Sequence, residues 1–230
     1  MEIKILGTGS SGNSFLLTLK SGKRILLDAG FKIKEEVDLI LITHVHDDHI
    51  KGLKTYKKNT PIYAGEKTRE ALKEMYPFLN IVDDIDLNTK SFPLSHDTFN
   101  YAYLIEDSGE TLVYITDTGY INRRLKKKLS NKNYYIIESN YEPEMLINSK
   151  YPYFLIQRIL SDEGHLSNEM ASSFIKEVKG PLTRKVFLGH LSKESNTKEK
   201  CLEVFNKYNS ELEVETGDRY EVIMHREDKK

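Results

Sequence analysis

The chain of 230 residues has a single cysteine, Cys201, so no internal disulfide can form, in keeping with a reducing compartment. It has no apolar run near the roughly 20 residues that a membrane span needs. Its start, MEIKILGTG, lacks the charged, apolar and small-residue sections of a secretion signal. A cytoplasmic location without membrane contact is therefore expected. No Pro/Gly/Ser-rich linker, close repeat or low-complexity stretch divides the chain, and residues 1–230 are expected to form one domain. Nor is there an excess of charge of either sign, because 34 Lys and Arg stand against 35 Asp and Glu, a formal net charge of −1. That balance excludes a global basic field for nucleic acid, so any site for a polyanion must be local. Bound divalent cations can supply such local charge.

Hydrophobic residues make up 39% of the chain and charged residues 30%, enough for a buried core and a solvated surface. In the first half, the runs IKIL, SFLLTL, RILLD, VDLILIT and PIYAG read as strands, with Ser21-Gly22 as a hairpin turn. Helical stretches, HIKGLKTYKK and KTREALKEMY, follow the last two. The second half begins the pattern again with NYAYLIED, ETLVYITD and NYYIIES, the first two joined at Ser108-Gly109. It continues with helices NRRLKKKL, SNEMASSFIKEV and TKEKCLEVFNKY and the strand KVFLGH. Two strand-rich halves with interspersed helices predict an α/β fold in which two sheets pack on one another under helices.

The chemistry begins directly after VDLILIT, where His44, His46, Asp48 and His49 stand in the pattern His-x-His-x-Asp-His. At a strand end, residues two apart point to the same side, so His44 and His46 can grip one cation while the turning chain offers Asp48 and His49 to another. Three imidazoles and a carboxylate suit zinc, iron or manganese. His96 in SFPLSHD, Asp117 in VYITDTG and His190 in KVFLGH each close a candidate strand. Sorted by geometry, one ion takes His44, His46 and His96 and the other Asp48, His49 and His190, with Asp117 bridging. Each ion then keeps an open position for water, as catalytic sites do. Gly119 permits a tight exit after Asp117.

This order of ligands resembles the metallo-β-lactamase superfamily, and the resemblance implies a four-layer αββα sandwich of two mixed sheets flanked by helices. The segments GTGSSGNS, SHD, ESN followed by EML, YPYFLIQRILSDEGHLSNE and LGHLSKESN are similar to the YycJ-type (WalJ) family, whose members are 5′-to-3′ DNA exonucleases. GHLSNE and LGHLS also resemble the paired histidine motifs of tRNA 3′-end-processing enzymes. From that likeness His165 takes an assisting role in catalysis and His190 a ligand role. An imidazole at His165, just before a helix with Ser167 as N-cap, suits a phosphate oxygen. Met170, Phe174 and Val178 are expected to face the core from that helix. The bridging Asp117, where antibiotic-hydrolysing members have cysteine, argues against β-lactamase activity and resembles the phosphodiesterase and nuclease branches. Two departures stand out: Tyr141 and Glu142 after ESN in place of His-Asp, and TFNYAY after SHD.

The resemblance implies a dinuclear metal-dependent phosphodiesterase acting as a 5′-to-3′ exonuclease, on DNA rather than RNA. It would use two divalent ions (Zn, Mn or Fe), a hydroxide bridging them as nucleophile, Asp48 to position it and His165 to assist. The alternatives are a small-molecule hydrolase of the same fold, acting on a cyclic phosphodiester or a thioester, and an endoribonuclease like the tRNA-processing enzymes. The interval from Asp117 to His190 is too short for the inserted second domain of some RNA-processing relatives. The glycine-rich loop Gly7 to Ser14 exposes backbone N–H groups for metal or phosphate. Asp28 reads as a carboxylate that orients a ligand imidazole. The basic run Arg123, Arg124, Lys126, Lys127 and Lys128 fits a solvated helix face, and Lys54, Lys57 and Lys58 are candidates for strand contact. Cys201 is expected to be buried beside Leu202, Phe205 and Tyr208, His225 to lie on the surface, and Tyr151 to Tyr153 to serve a dimer or the core.

Overall fold

A computed structural model describes residues 1–217, and His225 lies outside the described residues. The first sheet has the order β1 (Glu2–Gly7), β2 (Ser14–Thr18), β3 (Arg24–Leu27), β4 (Leu39–Ile42), β5 (Ile62–Ala64). Strands β1 to β3 pair antiparallel, and β3 to β5 pair parallel. The second sheet runs β6 (Thr89–Leu94), β7 (Asn100–Asp107), β8 (Glu110–Ile115), β9 (Tyr134–Glu138), β10 (Lys185–Gly189), β11 (Glu213–Thr216). It is antiparallel from β6 to β8 and parallel from β8 to β11. Both hairpin turns lie where the sequence puts them: Gly22 at φ 85°, and Ser108-Gly109 at 50° and 80°.

Strand alternation divides the apolar residues between three layers of core. Along β3, Ile25 and Leu27 enter the space between the sheets while Leu26 faces outward, and β4 separates Leu39 and Leu41 from Ile40 and Ile42 in the same way. Because both faces of β4 are covered, its run LILI is buried throughout. Phe15, Leu17, Tyr103, Tyr114, Ile136 and Phe187 complete the middle layer from both sheets. Outside the second sheet lie α3 (Arg123–Leu129), α6 (Asn168–Val178) and α7 (Lys198–Asn209), which bury Leu125, Leu129, Phe174, Val178, Cys201 and Phe205. Outside the first lie Ile50 of α1 (Asp47–Ile50) and Leu72 of α2 (Glu66–Met75). This is the αββα sandwich expected. Among the described residues, no helix is long and apolar enough to cross a membrane.

The sequence reading misses or misplaces several pieces. HIKGLKTYKK forms only α1 and a short 3₁₀ turn at Leu53–Thr55. The break falls at Gly52, whose N–H bonds to Ala29 O and where an added Cβ would sit 2.4 Å from Phe31 O. Met170 is 40% exposed rather than buried, and Leu202 and Tyr208 are half-buried. Three elements are absent from the reading: α4 (Pro143–Ile147), α5 (Tyr153–Leu160) and the edge strand β11. α5 hides because Tyr153, Phe154 and Leu160 are exposed, which spoils the single apolar stripe of a surface helix. β11 hides in EVET, whose Glu213 and Glu215 pair with Lys185 on β10. Four members of the basic runs are engaged locally: Lys126 pairs with Glu177, Lys128 lies over Phe92, Lys57 pairs with Glu36, and Lys54 lies over Tyr76.

Candidate metal centre and active site

The predicted site residues gather at the carboxyl ends of the strands, where the two sheets meet. His44 follows β4, Asp117 follows β8, and His190 follows β10. Glu138 is the last residue of β9 and shares the inter-sheet face with Ile136. Asp28, Asp117 and His190 all have positive φ, 58°, 53° and 53°, in the left-handed region that non-glycine residues enter at a cost of about 1–2 kcal/mol. The three strands thus end in a kink that turns a polar side chain into the seam, and the surrounding packing holds that strain. Gly119 has no positive φ: Asp117 takes the turn itself. Gly119 is needed for close approach, since a Cβ there would lie 2.1 Å from Ser161 O.

All seven predicted ligand residues come together. His46 Nδ1 lies 3.1 Å from His44 Nε2 and 3.3 Å from His96 Nε2. His190 Nε2 lies 3.1 Å from Asp48 Oδ2, which is 3.5 Å from His49 Nε2. Asp117 stands between the groups, with Oδ2 2.9 Å from His49 Nε2 and Oδ1 3.3 Å from His190 Nε2, and its carboxylate also clusters with His44 and His49. The residues thus cluster as His44 with His46 and His96 and as Asp48 with His49 and His190, with Asp117 against His44, His49 and His190.

The donor chemistry fits metal ions, because at four of the five candidate ligand imidazoles the ring nitrogen that faces away from the cluster meets a hydrogen-bond acceptor. His44 Nδ1 is 3.0 Å from Thr43 Oγ1, which itself donates to Asp28. His49 Nδ1 is 2.7 Å from Asp28 Oδ2, His96 Nδ1 is 2.9 Å from Glu163 O, and His46 Nε2 is 3.3 Å from Asp97 Oδ1. Each acceptor fixes a proton on the outward nitrogen and so makes the converging nitrogen the one that would meet a cation. Asp28, expected to orient a ligand, is fully buried and also accepts from Thr43 N and the Tyr114 hydroxyl.

The glycine-rich loop braces this arrangement. Asn13 donates from its backbone to Asp48 O and from Nδ2 to Asp48 Oδ2, and His190 N donates to Thr8 Oγ1. Gly30 lets the loop close on α1, as a Cβ there would lie 2.1 Å from Asp48 O and 2.4 Å from Asn13 N.

The two triads differ in charge. Burial drives His44 and His46 below the ordinary imidazole value, and neighbouring imidazoles add to the effect. Burial also acts against protonation of His49 and His190, but there the carboxylates outweigh it. Asp48, Asp117 and Asp28 hold His49 well above the usual value, and Asp117, Asp48 and Glu138 raise His190 to about 10. Asp48 and Asp117 are ionised despite burial, held low by His49 and His190.

His165 joins the cluster from the loop before α6, whose Ser167 accepts from Met170 N as predicted. His165 Nδ1 lies 2.9 Å from Glu138 Oε2 and 3.3 Å from Asp117 Oδ1. Its ring and that of His190 border a cavity of about 210 Å³ lined also by Ser10, Asn140, Tyr151, Arg158 and Ser192. Glu138 is the residue the sequence reading misses. The available signal was its place at the end of NYYIIES, matching Asp117 and His190 at the ends of β8 and β10. Asn140 of the same ESN motif holds His190, its Nδ2 lying 3.0 Å from His190 Nδ1 and donating to His190 O. The departures Tyr141 and Glu142 are absorbed by packing: Tyr141 is buried, and Glu142 accepts from Asn168.

A family profile described as the Beta-lactamase superfamily domain matches residues 23–191. The exodeoxyribonuclease WalJ of Streptococcus pneumoniae is 39% identical, over 86% of this chain and 84% of its own. The exodeoxyribonuclease YycJ of Bacillus anthracis is 34% identical, over 96% and 94%. This chain belongs to the metallo-β-lactamase superfamily, in its WalJ/YycJ branch. The metallo-β-lactamase fold protein YhfI from Bacillus subtilis superposes with a TM-score of 0.72 at 18% identity, covering 94% of this chain and 95% of that one, a likeness of fold. The superfamily match spans the segment from β3 to Leu191, just past His190, and so takes in all seven clustered ligand candidates and His165 of this WalJ/YycJ-branch chain.

Proposed function

We propose that the protein is a dinuclear metal-dependent phosphodiesterase that removes nucleotides from the 5′ end of DNA. The observation that carries the reading is Asp117 lying between two ligand triads, with the Glu138–His165 pair beside it on the cleft. The names of the relatives in Streptococcus pneumoniae and Bacillus anthracis, both exodeoxyribonucleases, support DNA as the substrate. In this proposal His44, His46 and His96 hold one divalent ion (Zn, Mn or Fe), and Asp48, His49 and His190 hold the other. Asp117 would be the ligand common to both, and one domain would carry the whole site. The buried, unpaired Cys201 agrees with a cytoplasmic setting.

When bound, the two cations acidify a water molecule and offset the negative charge of a phosphodiester. Asp48, on the open side of its triad, orients that water. Hydrolysis forms one P–O bond to the water oxygen and breaks the P–O bond to the 3′-oxygen of the leaving nucleotide, which needs a proton. With Nδ1 directed at Glu138, His165 has Nε2 for the cleft and gives that proton or a hydrogen bond. Glu138 keeps the ring in this orientation. Tyr151, Asn140, Ser192 and Ser10 offer polar atoms to the substrate backbone.

The test follows 5′-phosphorylated DNA and RNA strands labelled at either end, with added Mn²⁺ or Zn²⁺ and a His46→Ala control. Release of mononucleotides from the 5′ end of DNA by the wild type alone is the expected result. Cleavage of a simple nitrophenyl phosphodiester with no attack on either polymer would replace this reading with a small-molecule hydrolase, and internal cuts in RNA with an endoribonuclease.

A further inference from the structure

α5 turns two different faces outward beside the cleft. Leu155, Arg158 and Ile159 line the cavity that His165 and His190 border. Tyr153 and Phe154, 76% and 74% exposed, are the two most exposed large apolar side chains among the described residues and belong to none of the hydrophobic clusters. Phe154 and Arg158 are four apart on the helix, so they share a face next to the cavity-lining strip. Arg158 is ion-paired with Asp97, whose Oδ1 lies 3.3 Å from both His46 Nε2 and His96 Nε2, so its guanidinium already reaches the rim of the centre. The helix, YFLIQRIL, has no carboxylate to repel a polyanion.

Two exposed aromatic rings and a cation, on a helix that carries no carboxylate and runs into a phosphodiesterase cleft, match an unpaired nucleic-acid strand. Bases stack on the rings and the cation meets the backbone. In a 5′-to-3′ exonuclease the bases nearest the scissile bond are those of the 5′ end. We propose that α5 holds the unpaired 5′-terminal bases of the DNA, with Phe154 and Tyr153 stacking on them and Arg158 exchanging Asp97 for a substrate phosphate. The proposal rests on the nuclease reading above and adds where the strand lies. A second copy of the chain could cover the same rings, but Arg158 on their face and the continuity with the cleft favour the strand.

The test uses the metal-loaded protein and a phosphorothioate-linked single strand of roughly 12 nucleotides, dye-labelled at its 3′ end and read by fluorescence anisotropy. Tyr153→Ser with Phe154→Ser should weaken binding about tenfold or more while leaving the melting temperature unchanged, because both rings are solvated. Removing the two 5′-terminal bases to leave abasic sites should weaken the wild type similarly and the double variant hardly at all. Arg158→Gln should lower the slope of log affinity against log salt by about 0.7. Phe78→Ser, an exposed aromatic elsewhere, should bind as the wild type does. Wild-type affinity in the double variant, or equal losses on the abasic strand for both proteins, would overturn the proposal. So would sedimentation showing that the double variant only splits a dimer. A wild type that neither binds nor cuts DNA would instead remove the nuclease reading, and this proposal with it.

Discussion

The two halves of the centre both present converging imidazoles and behave in opposite ways. His44, His46 and His96 form a group of imidazoles, where burial holds His44 and His46 neutral. Asp48, His49 and His190 form a group in which carboxylates overcome burial and keep two imidazoles protonated. The first is ready for a cation at neutral pH, whereas the second already holds positive charge as protons and must exchange it. The difference lies in placement. Asp28, Asp117 and Glu138 all lie against His49 or His190 beside Asp48, whereas the first group meets Asp117 at His44 and Asp97, shared with Arg158, 3.3 Å from His46 Nε2 and His96 Nε2.

The strongest way to break this comparison is to remove what joins the halves. Asp117→Ala should abolish phosphodiester hydrolysis and lower metal affinity in both halves, by more than the roughly hundredfold typical of losing an outer-shell partner. His46→Ala should empty only the first half. Metal content by mass spectrometry after dialysis, alongside activity, separates the two. A full metal complement in Asp117→Ala would show that it bridges nothing.

Next in size is the pair that neither half uses as its own. His165→Ala should slow hydrolysis about 10²- to 10⁴-fold with metal content unchanged. Glu138→Gln should cost part of the same factor, because it keeps the hydrogen-bonding shape and loses the charge that orients the ring. The double variant should be no slower than His165→Ala, as expected when one residue acts through the other. Additive losses would mean that Glu138 works through His190 instead.

The buried support can then be tested on one half alone. Asp28→Asn should weaken metal binding about 10- to 100-fold in the second half, because Asp28 meets His49 Nδ1 there, and much less in the first, which it reaches only through Thr43. Titration with a metal that gives a visible spectrum, such as Co²⁺, would show two binding phases with only one displaced. Equal displacement of both phases would dissolve the distinction.

How far these residues could be read from the sequence follows from how each is held. The ligand candidates His44, His46, Asp48 and His49 announce themselves because a short turn after the buried run LILI brings them together with no long-range help. His96, Asp117 and His190 are legible only as strand ends, and the sheet topology makes them meet. Glu138 has the same address but no motif of ligand types around it. Asn13 and Asn140 act through an amide and a backbone path that composition does not mark. The α/β layering was visible in the apolar runs. α5 was not, since a helix that exposes its aromatic residues does not carry the stripe that betrays a packed one.

The finest test of the comparison is pH. In the folded protein without metal, the carboxylates raise His190 to about 10 and His49 in the same direction, whereas an unfolded imidazole titrates near 6.5. The folded state therefore binds more protons, and the stability this gives is fully present below pH 6.5 and lost as pH rises toward 10. A metal ion must displace those protons, so its affinity for the second half should rise with pH across that window. His44 and His46 are lowered, so these two should release no proton near neutrality and the first half should show the flatter profile. Calorimetry in two buffers of different ionisation enthalpy at pH 7 should report the loss of about two protons, one each from His49 and His190, confined to one of the two binding phases. No release would mean that both halves hold neutral histidines and that their carboxylates set geometry alone, and release shared evenly between the phases would mean that the halves do not differ in protonation.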